Sequence, residues 1–248
     1  MFLNDYSLEE KRQKKELVEK CPKCNGLGYF LDEDDEGYQT STPCRCILKM
    51  ERNISLLDWG FPRKFLDSKW CMDLIKSEEY YPLIENYIKN FDDNYLKGRG
   101  LFLCGSHGRG KSMVACIIAK FVATKMNPYS FEQKIKYIVA YSQLDNIMSL
   151  IIHDKQKANY FIQKPDLLII DNIGEEFGRN DNKFSQRTLD NIIRQRDNDK
   201  KPVILCSKYN ISDIGIEYSK EVKEFIEYTN DIVEISGENH RIIEQPEF

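Results

Sequence analysis

The sequence predicts an α/β domain, a parallel sheet covered by helices on both faces, preceded by a small cysteine-rich module. Three observations carry this prediction. Short apolar runs alternate with helix-length segments from residue 80 onward, a glycine-rich turn joins one such strand to one such helix, and four of the eight cysteines cluster within residues 21–46. Alternation of this kind implies crossover connections and strands buried on both sides.

Taken in order, residues 1–20 are rich in lysine and glutamate and predict a short exposed helix. The run "DEDDEGYQTSTP", 32–43, reads as an acidic then polar loop between two cysteine pairs. "ILKMERNISLLD", 47–58, has helical spacing, and "WGFPRKF" then turns into the main domain, so the boundary is placed at 58: residues 1–58 form the N-terminal helix and module, 59–248 the core. Within the core, "YYPLIENYIKNFDDNYL" predicts one helix, "GLFLCG" a buried strand, and "KSMVACIIAKFVATKM" a helix with a broad apolar face. The strand "IKYIVAY", the helix "SQLDNIMSLIIH", the strand "PDLLIIDN", the long helix "QRTLDNIIRQRDN" and the strand "KPVILCS" follow. A helix around 217–228 and the strand "DIVEISG" complete the pattern.

Composition narrows the functional classes. The 248 residues are 41% hydrophobic and 31% charged, values of an ordinary globular chain, and no apolar run approaches a membrane span. The N-terminus lacks the apolar centre of a secretory signal, so a cytoplasmic protein is expected. A net charge of -4 argues against a surface coated in positive charge and leaves only local basic patches for nucleic acid. Cys71, Cys104, Cys116 and Cys206 stand apart in apolar or mixed contexts and read as buried thiols.

The turn "GSHGRGKS", Gly105, Ser106, His107, Gly108, Arg109, Gly110, Lys111 and Ser112, fits G-x-x-x-x-G-K-[ST] at every fixed position. Glycines let the backbone curl so that successive N–H groups converge on phosphates at the positive end of the next helix. Lys111 is expected to reach the β and γ phosphates of ATP, and Ser112 to hold Mg2+. Such a loop needs an acid at the end of a neighbouring strand, and "DLLIIDN" supplies Asp171. The next position often carries the acid that activates the attacking water; here it is Asn172, a very poor base. Binding is therefore predicted more firmly than turnover, with Glu175 or Glu176 as alternative bases.

Cys21 and Cys24 form a C-x2-C pair, and Cys44 and Cys46 a C-x-C pair twenty residues later. Two close pairs on turns can supply the four thiolates of a tetrahedral Zn2+ site with no open position, a structural metal and not a catalytic one.

These motifs, in this order, resemble the DnaC/DnaI family of replicative helicase loaders within the AAA+ class, which also holds the IstB-like transposition ATPases. The likeness spans most of residues 55–241 and rests on "GFPRKFLDSKW", "GSHGRGKS", "LLIIDNIGEE", "LDNIIRQRDNDKKPVILCSKYN" and "TNDIVEISGENHR". The resemblance implies a P-loop AAA+ core, a hexameric replicative helicase as partner, single-stranded DNA as a further ligand and self-association in the AAA+ manner. It also implies an N-terminal module that grips the helicase. The chain departs from the family pattern at Asn172, at Lys208 in the sensor strand, where Ser207 or Asn210 stands in, and at "SKEVKEF", where Lys220 or Lys223 occupies the region of the arginine finger. A lysine lacks the planar fork of a guanidinium. Arg194, Arg196 and Arg241 remain as further cations, and Lys155, Lys157, Tyr160 and Phe161, with the basic run 11–15, as candidate contacts to DNA. A transposition helper, a largely non-hydrolysing adaptor and a small-molecule kinase are the competing classes, the last disfavoured because no acceptor pocket or lid is legible.

Overall fold

The five core strands have side chains buried on alternate faces, and this sorts the chain into two hydrophobic layers. The computed structural model describes residues 19–33, 39–67, 72–125, 136–175 and 182–236. The basic run 11–15 and nearly all of the N-terminal helix, together with Cys71, Glu176 and Arg241, lie outside the described residues. Strands β3 (Gly100–Cys104), β4 (Val139–Gln143), β5 (Leu167–Ile173), β6 (Val203–Ser207) and β7 (Asn230–Glu234) form one sheet in the order β4-β5-β6-β3-β7. Every adjacent pair is parallel. Leu101, Leu103, Leu167, Ile169, Ile204 and Cys206 face one layer; Phe102, Cys104, Leu168, Ile170, Val203 and Leu205 face the other. A period of two on strands with long apolar runs produces this division, with the edge strand β7 mostly exposed.

The numbering of helices follows the chain: α1 (Arg45–Asp58), α2 (Arg63–Asp67), α3 (Tyr81–Lys89), α4 (Phe91–Lys97), α5 (Lys111–Val122), α6 (Leu144–His153), α7 (Lys155–Gln163), α8 (Asn182–Asn198), α9 (Ile211–Glu217) and α10 (Lys220–Thr229). The first layer is filled by α5, buried from Met113 to Lys120, and the second by residues of α6, α7 and α8.

Several elements differ from the sequence expectation. Residues 80–96 form two helices that part at Asn90: the Tyr87 carbonyl, which a continuous helix would pair with the Phe91 N–H, accepts from the Asn94 side-chain amide, while Phe91 is buried. The stretch expected to be one helix at 217–228 is two, since Ser219 is extended and caps α10 by accepting from the Val222 N–H. The second half of the expected polar loop, Gln39–Pro43, is strand β2, paired antiparallel with β1 (Tyr29–Glu33). Its side chains are mostly exposed, so period-two burial could not announce it. Helix α7 was likewise not anticipated; it is capped by Asp154, which accepts from the Lys157 N–H.

Helix α1 runs from the cysteine cluster to the core and ends against the β4 edge of the sheet. There the Tyr141 N–H donates to the Trp59 carbonyl at 2.9 Å. Gly60 has φ +91, and a Cβ on it would lie 2.4 Å from the Tyr141 oxygen, so only glycine fits this contact. Trp59 stacks on Tyr160, and Phe61 packs on Tyr141.

Candidate functional site

Strand β3 ends at Cys104 and α5 begins at Lys111, leaving six residues to reverse the chain. Gly105, Gly108 and Gly110 take φ of 140, 80 and 91, conformations that L side chains avoid. A Cβ on Gly105 would stand 2.5 Å from the Ile235 oxygen, so the loop lies close against the chain leaving β7. Gly110 occupies the N-cap of α5 and offers no side chain to its first N–H groups, which leaves them for an anionic ligand. The Lys111 ammonium is folded back, donating to the Gly105 carbonyl at 2.6 Å and the Ser106 carbonyl at 2.9 Å. Burial lowers its pKa, against the pull of Cys206, Asp171 and Glu175. Ser112 is half-buried in the first turn of α5.

Asp171 lies toward the end of β5, 3% exposed. Its carboxylate accepts from the Tyr141 hydroxyl at 2.6 Å and from the Asn172 N–H at 2.8 Å. The β5–β6 register shifts between Ile170 and Ile173, the irregularity that accommodates an extra residue, and Asn172 there takes φ 60. Asparagine is one of the few side chains that enter this region readily. Gly174 follows with φ +95, and a Cβ on it would strike the Tyr209 ring at 2.5 Å. Glu175 then faces the phosphate-binding loop, its carboxylate 3.5 Å from His107 Nδ1. Sequence reasoning missed both Tyr141 and the His107–Glu175 contact. The first had a signal: a tyrosine on a buried strand must find a partner for its hydroxyl, and the adjacent strand carries one acid.

A loop of glycines at the start of a buried helix, an acid on the next strand but one and a five-stranded parallel sheet together form the geometry of a nucleotide site. A profile of the ATPase family associated with various cellular activities (AAA) matches residues 101–233, more than half of the chain. The chain belongs to the AAA family. Among solved structures it is similar to that of DnaI, with a TM-score of 0.58 and 18% identity over 73% of this chain and 94% of the other. The DnaC helicase loader gives 0.57 and 18%, over 71% of this chain and 100% of the other. AMPPCP-bound DnaA from Aquifex aeolicus gives 0.53 and 19%, over 71% of this chain and only 53% of that longer one. At these identities the likeness is one of fold. No curated protein matches the chain significantly in sequence. Membership of the AAA family implies a nucleotide and Mg2+.

Around this AAA site the other candidate residues fall into distinct settings. Ser207 is fully buried; its hydroxyl donates to the Ile173 carbonyl and accepts from the Tyr209 N–H, so it ties β6 to the turn after β5. The Lys208 ammonium lies 4.9 Å from the Tyr209 ring centroid, and Asn210 caps α9 in a reciprocal box with Asp213. The Lys220 side chain is 82% accessible and paired with Glu224 at 3.4 Å. Lys223 pairs with Glu227 and lies over Gly215. Arg194 bonds Asp190 and lies over the Phe225 ring.

Arg196 is a structural cation, not a surface one. It is wholly buried and donates to the carbonyls of Ile162, Pro165, Asp166 and Pro202, joining the turn before β5 to the start of β6. Phe161 is also core, at 2% exposure, which removes it from any base-stacking role; Tyr160 keeps half its surface while stacking on Trp59. Lys157 pairs with Asp154 at 3.5 Å.

The four clustered cysteines converge. Their sulfur atoms lie within 4.8 Å of one another, with Cys21 to Cys44 at 3.9 Å and Cys24 to Cys46 at 3.6 Å. Zn–S bonds of about 2.3 Å in a tetrahedron require S···S separations of about 3.8 Å, so the donor set fits Zn2+. The separations also far exceed a disulfide bond. Gly28 couples the two turns, donating its N–H to Cys24 Sγ at 3.2 Å and accepting from the Cys44 N–H at 2.8 Å. Cys44 is the N-cap of α1 and Cys46 lies in its first turn, where the helix favours thiolate. Hydrogen bonds from the Lys23 and Cys24 N–H groups draw the Cys21 thiol down to about 7. Burial and then the neighbouring thiols push Cys46 up to about 12. Four thiols this close resist ionising together unless a cation joins them.

Proposed function

We propose that this AAA protein is an ATP-binding DNA replication protein that loads or remodels a hexameric replicative helicase on single-stranded DNA, hydrolysing ATP slowly or only with a partner. One observation carries the reading: the Lys111 loop and Asp171 sit on a sheet of this order, while helix α1 joins that same core directly to a four-thiol module. The backbone amides from Ser106 to Ser112 hold the phosphates, and Lys111 exchanges its two carbonyl partners for phosphate oxygens. Ser112 and Asp171 would hold Mg2+, which would supply positive charge against the β and γ phosphates. Residues 1–58, stiffened by Zn2+ at Cys21, Cys24, Cys44 and Cys46, dock the helicase. Lys220, on the surface of α10, is the cation offered to a neighbouring copy, with Lys223 and Arg241 as further candidates and Ser207 as a structural stand-in for the polar sensor.

The test is to mix the protein with its host's replicative helicase, with and without ATP, and measure the mass of what forms. A defined complex with the hexamer, reinforced by ATP and lost on deleting residues 1–58, supports the loader. Capture of a transposase in place of a helicase assigns the chain to a transposition helper. A second reading, an adaptor that scarcely hydrolyses ATP, is favoured by Asn172, which carries no base and sits in a backbone conformation asparagine suits.

A further inference from the structure

The carboxylate of Asp171 is held from both sides, and one of the two holds comes from a residue that no nucleotide-binding motif contains. The Asn172 N–H donates to Oδ1 and the Tyr141 hydroxyl to Oδ2, with the buried Cys206 thiol also against the carboxylate, and together they fix its direction. Tyr141 lies on β4 opposite Ile169, and its hydroxyl reaches diagonally to the acid two residues further along β5.

The ring that carries this hydroxyl is itself fixed. Phe61 packs against it with centroids 5.2 Å apart, and Phe65 meets it edge-on at 5.6 Å. Its backbone N–H is bonded to Trp59, and its carbonyl abuts Gly60. All four of these residues follow α1, whose N-cap Cys44 and first-turn Cys46 belong to the thiol cluster.

We infer that Tyr141 is a positioning residue for the Mg2+ site, orienting Asp171 through its hydroxyl while the segment leading in from the N-terminal module holds its ring. The inference rests on the proposed nucleotide site. Partners that orient a metal ligand typically change metal affinity about 10–100-fold when removed, and because Asp171 would act on Mg2+ through water the lower end of that range is expected.

Tyr141→Phe removes the hydroxyl and keeps the ring and its aromatic neighbours. Binding of a fluorescent ATP analogue is measured across a Mg2+ titration and again in excess EDTA, for the wild type, Tyr141→Phe, Asp171→Asn and the double variant. The expected result is that Tyr141→Phe raises the Mg2+ concentration for half-maximal binding about tenfold, leaves affinity in EDTA unchanged, and adds nothing once Asp171 is Asn. Equal weakening with and without Mg2+, or additive effects in the double variant, assigns Tyr141 to packing alone and overturns the inference. An unchanged Mg2+ dependence in Tyr141→Phe overturns it as well. A wild type that binds the analogue with no dependence on Mg2+ or Asp171 also overturns the inference, whereas one that fails to bind it, or binds it equally well as Lys111→Ala, refutes the nucleotide-site reading itself.

Discussion

Replacing Asn172 by Asp tests the account of catalysis most directly. The side chain follows Asp171 at a bulge in β5 with φ 60, a conformation both Asn and Asp adopt readily, so the exchange should cost little stability. It changes one atom pair, an amide for a carboxylate, at the position where a base would take the proton of the attacking water. A positioned general base contributes about 10²–10⁴-fold, so turnover should rise at least ~100-fold, equivalent to about 2.7 kcal/mol of barrier. Asn172→Glu makes a useful contrast: a longer side chain in the left-handed region costs about 1–2 kcal/mol, which at ~2–4 °C per kcal/mol lowers Tm by several degrees. Phosphate release is followed at saturating ATP and Mg2+, with and without single-stranded DNA and helicase, while nucleotide affinity is measured in parallel. Unchanged turnover in an Asn172→Asp protein that still binds ATP would refute the reasoning. Loss of the wild type's residual turnover in Glu175→Gln would move the role to the residue now paired with His107.

Three further outcomes follow from the structure. Removing Zn2+ with a chelator, or Cys44→Ser, should unfold the hairpin and loosen α1 while the parallel sheet persists, seen as loss of hydrogen-exchange protection confined to residues before 60. Arg196→Met leaves four carbonyls without their buried donor and should destabilise the core by about 3–5 kcal/mol, a fall in Tm of about 10 °C. Asp92 accepts from Lys125, Lys136 and Tyr137; burial acts to raise its pKa, but these hydrogen bonds prevail and hold it well below the usual carboxylate range. A lowered folded-state pKa stabilises above the unfolded value of about 3.9 and the gain fades as pH falls below it. Asp92→Asn should therefore lower stability at pH 7 by about 1 kcal/mol or less, given its half-exposed carboxylate, and converge on the wild type in acid melts.

The phosphate-binding loop was legible because its function is local: glycines at 105, 108 and 110 and a lysine at 111 impose their own backbone path. The core strands were legible for a related reason, since residues such as Leu101–Cys104 and Val203–Cys206 are apolar at every position and have nowhere to lie except a sheet covered twice. Strand β2 was not, because it is exposed and shows no period, and helix α7 was not, because it follows α6 after a single residue and its buried face is only Ala158, Phe161 and Ile162. Arg196 looked like a surface cation because its partners are backbone carbonyls, which no side-chain pattern reveals.

By itself the sequence determined the glycine-rich loop, the acid on an apolar strand, the pairing of four cysteines at short spacing and the α/β class, while the sheet order places that acid on the next strand but one, with β6 between. Only the tertiary structure decided that Tyr141 grips Asp171, that the segment after α1 grips Tyr141, and that His107 meets Glu175. Those contacts join residues 30 to 80 positions apart on different strands and loops. Their geometry is set by strand register and by the packing of an aromatic edge, which exist only once the chain has folded.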